Sequence, residues 1–196
     1  FGPGAFFRSF VAPYTDEAMS AAGGDWGIIG VSLKSPAARD ALAPQGYLYT
    51  AVERGRKGDK KRRIGAITEV LVAREDPGAV LDAMERSEIR IVTLTITEKG
   101  YCQNPRDGSL QLAHPDIAHD TITMDLPRSA IGFLVLALAR RRDANIPPFT
   151  VLSCDNLPSN GRIIRKLVIG LAQRREAVGK DQGLADWIAA HVAFPS

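Results

Sequence analysis

Apolar positions along this chain change period several times, and each change marks the edge of an element. From Ala5 to about Ala22 apolar and small residues recur at loosely helical spacing. They predict a helix interrupted or kinked by Pro13 and ended by Gly23-Gly24. Trp26 to Leu33 (WGIIGVSL) is a short apolar run rich in β-branched residues, as in a strand buried on both faces. Lys34-Ser35-Pro36 closes it, and Ala37 to Leu42 reads as a helical turn. Tyr47 to Glu53 and Ile64 to Ala73 are extended segments flanking a basic tip, predicted as an antiparallel pair inserted in the pattern. Pro77 to Arg86, with Val80, Leu81 and Met84 at helical spacing, predicts a helix starting beside Asp76.

Ile89 to Thr97 (IRIVTLTIT) is the strongest strand pattern in the chain. Cys102 to Asp125 carries the turn signals Asn104-Pro105, Asp107-Gly108 and His114-Pro115 and reads as loop. Pro127 to Asp143 predicts a helix ending in arginines, and Phe149 to Cys154 a strand. Arg162 to Arg175 predicts a helix turning Ile163, Leu167, Ile169 and Leu171 to a core, and Leu184 to Val192 a last short helix. Short apolar strands alternating with amphipathic crossovers predict an α/β fold, a mostly parallel sheet with helices on both faces and an inserted antiparallel pair. Ligands of such sheets bind at the carboxyl ends of the strands. The loops Phe1 to Arg8, Lys34 to Pro36, Thr97 to Tyr101 and Asp155 to Gly161 are therefore expected to converge on one cleft.

Composition narrows the picture. At 196 residues, 45% hydrophobic and 24% charged, the chain suits one sizeable globular domain. The longest apolar run, Ile131 to Ala139, falls short of the roughly 20 residues that span a bilayer and runs into Arg140-Arg141-Arg142. With no secretory signal pattern, a cytoplasmic protein with reduced Cys102 and Cys154 is expected. Neither cysteine has metal-ligand spacing to His114, His119 or His191, and Pro115 breaks helical register between the first two histidines, so no metal site is expected. The net charge of +3 is local in origin: Arg54 to Arg63 holds seven Lys or Arg against one Asp, leaving −3 elsewhere. That tip reads as a solvated hairpin turn, with binding of RNA, DNA or an acidic partner as the alternative.

Candidate chemistry begins at Gly2-Pro3-Gly4-Ala5-Phe6-Phe7, which fits the first part of the dinucleotide fingerprint G-x-G-x-x-G, with Phe7 at the third glycine position. Gly2 can make a tight turn, and Gly4, lacking Cβ, lets the backbone approach a pyrophosphate. A turn of purely structural use is the other reading. Where a ribose-binding acid would end the second strand, Lys34-Ser35 stand with Arg39 nearby, which suits NADP, although Lys34 could simply be solvated. Thr95, Thr97, Glu98 and Lys99 end the strongest strand and could contact a nicotinamide ribose, or Glu98 and Lys99 could form a local ion pair. Asn156 and Asn160 lie four apart at the start of a helix. One could cap it, the other donate to a substrate carbonyl or alkoxide.

Taken together, GPGAFFR (2 to 8), DWGIIGVSL (25 to 33), YLYTAVER (47 to 54), TLTITEKGY (93 to 101), PPFTVLSCDNLPSNG (147 to 161) and DWIAAHVAFP (186 to 195) resemble the mannitol dehydrogenase family. These are long-chain polyol dehydrogenases that also include fructuronate reductase (mannonate oxidoreductase). The resemblance implies a Rossmann-type NAD-binding domain over residues 1 to 196, with the start of its first strand and a helical C-terminal substrate domain lying outside the chain. It implies NAD as cofactor, no metal, and hydride transfer between a polyol or sugar acid (mannitol or mannonate type) and its ketose (fructose or fructuronate type). Cofactor contacts are expected from Phe1, Gly2, Gly4, Ala5, Phe6, Phe7, Arg8, Lys34, Ser35, Thr95, Thr97, Lys99 and Asn156. Asn156 or Asn160 is expected to polarise the substrate carbonyl, and the general acid–base lysine to lie beyond this chain, which alone would then be inactive. Family members usually carry His where Phe7 stands and often an acid near Lys34 or Ser35, which leaves NADP open. A nucleoside-cofactor methyltransferase and a nucleic-acid-binding module using residues 54 to 63 are the alternatives.

Overall fold

Helices and strands alternate along the chain in the computed structural model, which describes residues 1–156 and 158–196, the side chain of Glu98 excepted. Two compact units are formed, Gly2–Val72 and a second made of Phe1 with Ala73–Ser196. The mixed α/β class with parallel strand pairs and one antiparallel pair is the class the hydrophobic pattern predicts.

The unit Gly2–Val72 contains α1 (Ala5–Ser9), α2 (Val11–Ala22), β1 (Ile28–Ser32), α3 (Ala37–Leu42), β2 (Tyr49–Glu53), β3 (Lys60–Ile64) and β4 (Ile67–Val72). β1 and β4 run parallel, Gly30 opposite Val70 and Val31 opposite Leu71. Phe7, Ala12, Leu42, Ile64, Ile67 and Val70 form its buried core, with Val11, Tyr49 and Ala51 packed against them. Two expectations need correction here. The helical stretch breaks at Phe10, with φ −125° and ψ −67°, not at Pro13. Pro13 falls in the first turn of α2, where a missing N–H breaks no helical bond. The antiparallel partner of β2 is Lys60–Ile64, not the stretch from Ile64 to Ala73: Tyr49 faces Ile64 and Glu53 faces Lys60. Four of the seven cations expected at a turn therefore form a strand, exposed from Lys60 to Arg63, while Arg54, Arg56 and Lys57 stay in the turn that Gly58 N–H closes onto Gly55 O at 3.0 Å, and Ile67–Val72 pairs in parallel with β1.

In the second unit follow α4 (Pro77–Glu85), β5 (Ile91–Leu94), α5 (Pro115–Ile122), α6 (Ala130–Asp143), β6 (Thr150–Ser153), α7 (Asn160–Ala177) and α8 (Leu184–His191). β5 and β6 are parallel, Leu94 opposite Ser153. Helix α6 is the spine of the core, its hydrophobic residues from Ile131 to Leu138 being at most 2% exposed. Its cationic end is used internally: Arg141 Nη1 donates to the carbonyls of Met84 (2.8 Å) and Arg86 (2.9 Å) and Nε to Pro147 O (2.8 Å). The guanidinium thus satisfies carbonyls at the end of α4 that have no helical partner. Helix α5 was expected to be loop. Pro115 is its first residue, not a breaker, and the His114 ring caps it by accepting from Asp116 N–H at 3.2 Å. The core face of α7 is Ile164, Leu167, Val168 and Leu171, so Ile163 and Ile169 are displaced from the expected stripe. The face ends at Arg175, which is buried because it donates to the carbonyls of Asp120 and Thr123 and pairs with Asp181 at 2.5 Å. No described helix is long and apolar enough to cross a membrane.

Candidate functional site

The glycine turn is built from the backbone outward. Gly2, with φ +88°, takes a conformation only glycine adopts readily, and its N–H donates to Val31 O in β1 at 2.9 Å. Gly4 N–H donates back to Gly2 O at 2.7 Å, closing the turn. Arg8 Nη1 donates to Pro3 O at 2.6 Å, and the Tyr49 hydroxyl donates to Arg8 O at 2.6 Å. Burial pushes the Tyr49 phenol up to about 12. The turn lies against β1 so closely that a Cβ on Gly30 would be 3.3 Å from Pro3 Cβ. Above Gly4 the space is open: a Cβ there would meet nothing nearer than Gly2 O at 3.9 Å.

Among the described residues no side chain caps α1, which leaves its first amides without a helical acceptor. Ala5 and Phe6 are exposed, Phe6 leaning on Phe10 with ring centroids 5.1 Å apart. Phe7 turns the other way and is 3% exposed, so its side chain is taken up by the core. At the end of β1, Ser32 Oγ donates to Ser35 O at 2.6 Å and Ser35 Oγ accepts from Ala37 N–H at 3.3 Å. Lys34 and Ser35 are exposed, and Lys34 makes no hydrogen bond or ion pair among the described residues. Arg39 is held by Asp40 at 2.9 Å. The glycine turn and the end of β1 are thus joined in one unit by the bond from Gly2 to Val31.

In the other unit, β5 lines up the remaining candidates. Phe1 N donates to Thr93 O at 2.6 Å, and Phe1 O accepts from Thr95 N at 2.9 Å and Thr95 Oγ1 at 3.1 Å. The Thr95 hydroxyl is therefore engaged with the main chain, and the Phe1 ring packs on Phe133 at 5.7 Å. Thr97, just before the 3₁₀ turn Glu98–Tyr101, and Lys99 on it are exposed, and the Lys99 side chain has no partner among the described residues. The ion pair considered between Glu98 and Lys99 lies outside the described residues, as does Leu157 of the second loop.

Tyr101, fully buried, fastens the two loops of this unit. Its Oη is 3.1 Å from Ser153 Oγ, and burial first, then its hydrogen bond to Asp155, pushes the phenol well above its ordinary 10. Cys154 N–H donates to Leu94 O at 2.8 Å, continuing the pairing of β5 and β6 into the loop. Sequence reasoning named Tyr101 only as a turn residue. The available signal was a tyrosine just past a strand end, which can enter a core only with a partner for its hydroxyl.

The two amides have different surroundings. Asn160 is consumed locally: Nδ2 donates to Ser153 O (3.0 Å) and Asp155 O (3.3 Å), and Oδ1 accepts from Gly161 N–H (2.8 Å). Asn156 is exposed and makes no hydrogen bond among the described residues.

Comparisons with known proteins bear on the family and the fold. A solved Pseudomonas fluorescens mannitol 2-dehydrogenase, a ternary complex with NAD and D-mannitol, superposes with a TM-score of 0.92 at 44% identity, covering 100% of this chain and 39% of that one. An uncharacterized oxidoreductase of Escherichia coli, YeiQ, is 45% identical over 100% of this chain and 39% of its own length. The D-mannonate oxidoreductase of the same organism is 41% identical over 99% of this chain and 40% of its own. The chain spans about two fifths of the length of these relatives. The model of the mannitol dehydrogenase Rossmann domain matches residues 1–196 throughout, and the chain belongs to that family.

Proposed function

We propose that this chain binds NAD(H) and serves hydride transfer between a polyol or sugar acid of the mannitol or mannonate class and its ketose of the fructose or fructuronate class. One observation carries the reading: a Gly2-Pro3-Gly4 turn hydrogen-bonded onto the end of a parallel strand, with open space above Gly4 and uncapped helical amides after it. Those are the features a pyrophosphate needs, close backbone approach and donors facing the charge. Arg8 stiffens the turn from below through Pro3 O. Bound nicotinamide would supply the hydride acceptor for oxidation of the alcohol and the donor for reduction of the ketose.

This chain's own contribution to the chemical step is electrostatic. The Asn156 amide, exposed and uncommitted, would donate to the substrate oxygen as it gains alkoxide character, an interaction stronger in the transition state than in the ground state. Asn160 would hold the loop shape that presents it, through Ser153 O and Asp155 O. Proton transfer is assigned to the lysine that the family resemblance puts outside these 196 residues. Cys102 and Cys154 as thiols, not joined in a disulfide, suit a cytoplasmic setting.

Titration with NADH, followed by quenching of Trp26 and Trp187 fluorescence, tests the reading. Saturable binding is expected, lost in Gly4→Val, where the side chain fills the open space above the turn while circular dichroism and the thermal midpoint stay near those of the parent. Absence of saturable binding in the parent, or undiminished binding in Gly4→Val, would count against it.

A further inference from the structure

The end of β1 carries no acid. From Ile28 to Arg39 there is neither Asp nor Glu, and the next carboxylate, Asp40, is paired with Arg39 at 2.9 Å. In a doubly wound nucleotide fold this strand end faces the adenosine ribose. A carboxylate there accepts from the free 2′-hydroxyl and repels a 2′-phosphate, whereas a cation favours the phosphate. What stands there is Lys34, exposed and without a partner among the described residues, followed by the exposed hydroxyl of Ser35.

Connectivity puts these groups beside the turn that receives the pyrophosphate. Gly2 N–H bonds Val31 O at 2.9 Å, and Lys34 follows Val31 by three residues, at most about 11 Å of extended chain. Ser32 Oγ, bonded to Ser35 O at 2.6 Å, folds the segment back so that Lys34 occupies the apex of a tight bend. Ser35 Oγ accepts from Ala37 N–H at 3.3 Å and keeps its own proton to donate. A phosphate monoester carries a charge of about −1.5 to −2 near neutral pH and three strong acceptor oxygens. An ammonium and a hydroxyl donor in sequence complement it, whereas an unesterified ribose can take a hydrogen bond from the ammonium but offers no opposite charge.

We propose that Lys34 and Ser35 receive an adenosine 2′-phosphate, so that the chain accepts NADP(H) at least as readily as NAD(H). This rests on the dinucleotide reading given above and deepens it. The test is equilibrium titration of the 196-residue chain with NADPH and NADH, and competition against NADH by 2′,5′-ADP and by 5′-ADP. NADPH is expected to bind with a dissociation constant equal to or below that of NADH, and 2′,5′-ADP to compete better than 5′-ADP. In Lys34→Asp the ratio of the two dissociation constants is expected to move by about tenfold or more toward NADH, the loss of one charge-assisted contact. A ratio is read because partial misfolding would weaken both ligands together. NADPH binding tenfold or more weaker than NADH in the parent, or an unmoved ratio in Lys34→Asp, overturns this inference and leaves the dinucleotide reading standing. Failure of both dinucleotides to bind overturns both.

Discussion

At the scale of single residues, two buried positions set how tightly the second unit is closed. Tyr101 is neutral in the fold and bonded to Ser153 at 3.1 Å. Since burial raises its phenol above the ordinary 10, the unfolded chain ionises first as pH rises. The tyrosine's contribution is therefore whole below pH 10 and is lost as pH climbs above it. Tyr49, pushed up to about 12, acts in the same direction between 10 and 12. We expect the urea midpoint to fall above pH 10, with a shallower fall in Tyr101→Phe, and the 295 nm titration of Tyr101 to coincide with unfolding. At neutral pH the same variant should lose about 1 to 2 kcal/mol, since Ser153 is left without its partner. A normal titration near pH 10 in the folded protein would refute this.

Gly132 is the second such position: its amide donates to Ser129 Oγ at 2.9 Å, and Asp120 fills the space where a Cβ would be. Alanine is favoured over glycine in a helix by about 1 kcal/mol. Here it would push out a carboxylate that accepts from Arg128 N–H, Ser129 N–H and Ser129 Oγ. Hydrogen bonds to charged groups contribute roughly 1.5 to 3 kcal/mol each, so the clash wins. Gly132→Ala should destabilise by about 3 kcal/mol or more in urea unfolding. A variant as stable as the parent would mean that Asp120 can move at no cost.

At the scale of elements, caps decide where helices begin. Asp76 accepts from Ala79 N–H at 2.8 Å with Pro77 at the first helical position of α4. Asp76→Ala should cost about 1 kcal/mol and Asp76→Asn much less, read by chemical denaturation. Equal losses would show that charge, not the cap bond, matters. Caps and single-period runs are also what the sequence makes readable: α4, α6, β1 and β6 are each recognisable from neighbouring residues alone. β3 was not, because Lys60-Lys61-Arg62-Arg63 looks like a solvated tip, and only pairing with Tyr49–Glu53 makes it a strand. α5 was missed because Pro115 reads equally as a breaker or as a first helical residue, and the His114 cap that decides it is a tertiary detail. The glycine turn of the candidate site was legible, since Gly2 reads as the tight turn that its φ of +88° makes. The inward turn of Phe7 and the division of labour between Asn156 and Asn160 were not. Two amides four residues apart look alike until the carbonyls of Ser153 and Asp155 are found to hold one of them.

At the scale of the whole molecule, charge is distributed very unevenly. The net +3 is the sum of +6 between Arg54 and Arg63 and −3 over all other residues. Most of that excess lies on the exposed face of β3 and the adjoining turn. Arg62 is the exception, since it pairs with Glu17 at 3.2 Å and donates to Pro13 O, tying the hairpin to α2. The other cations are exposed to water, and solvated charges of this kind add little to stability. Replacing Lys57, Lys60, Lys61 and Arg63 by Gln removes four positive charges and takes the net from +3 to −1. We expect earlier elution from a cation exchanger and a stability within about 0.5 kcal/mol of the parent in moderate salt. At low ionic strength the variant should be the more stable of the two, because the cations clustered between Arg54 and Arg63 repel. That advantage should vanish near 1 M salt, where the screening length falls to about 3 Å. A clear loss of stability at every salt concentration would show that these side chains are structural, as Arg62 is.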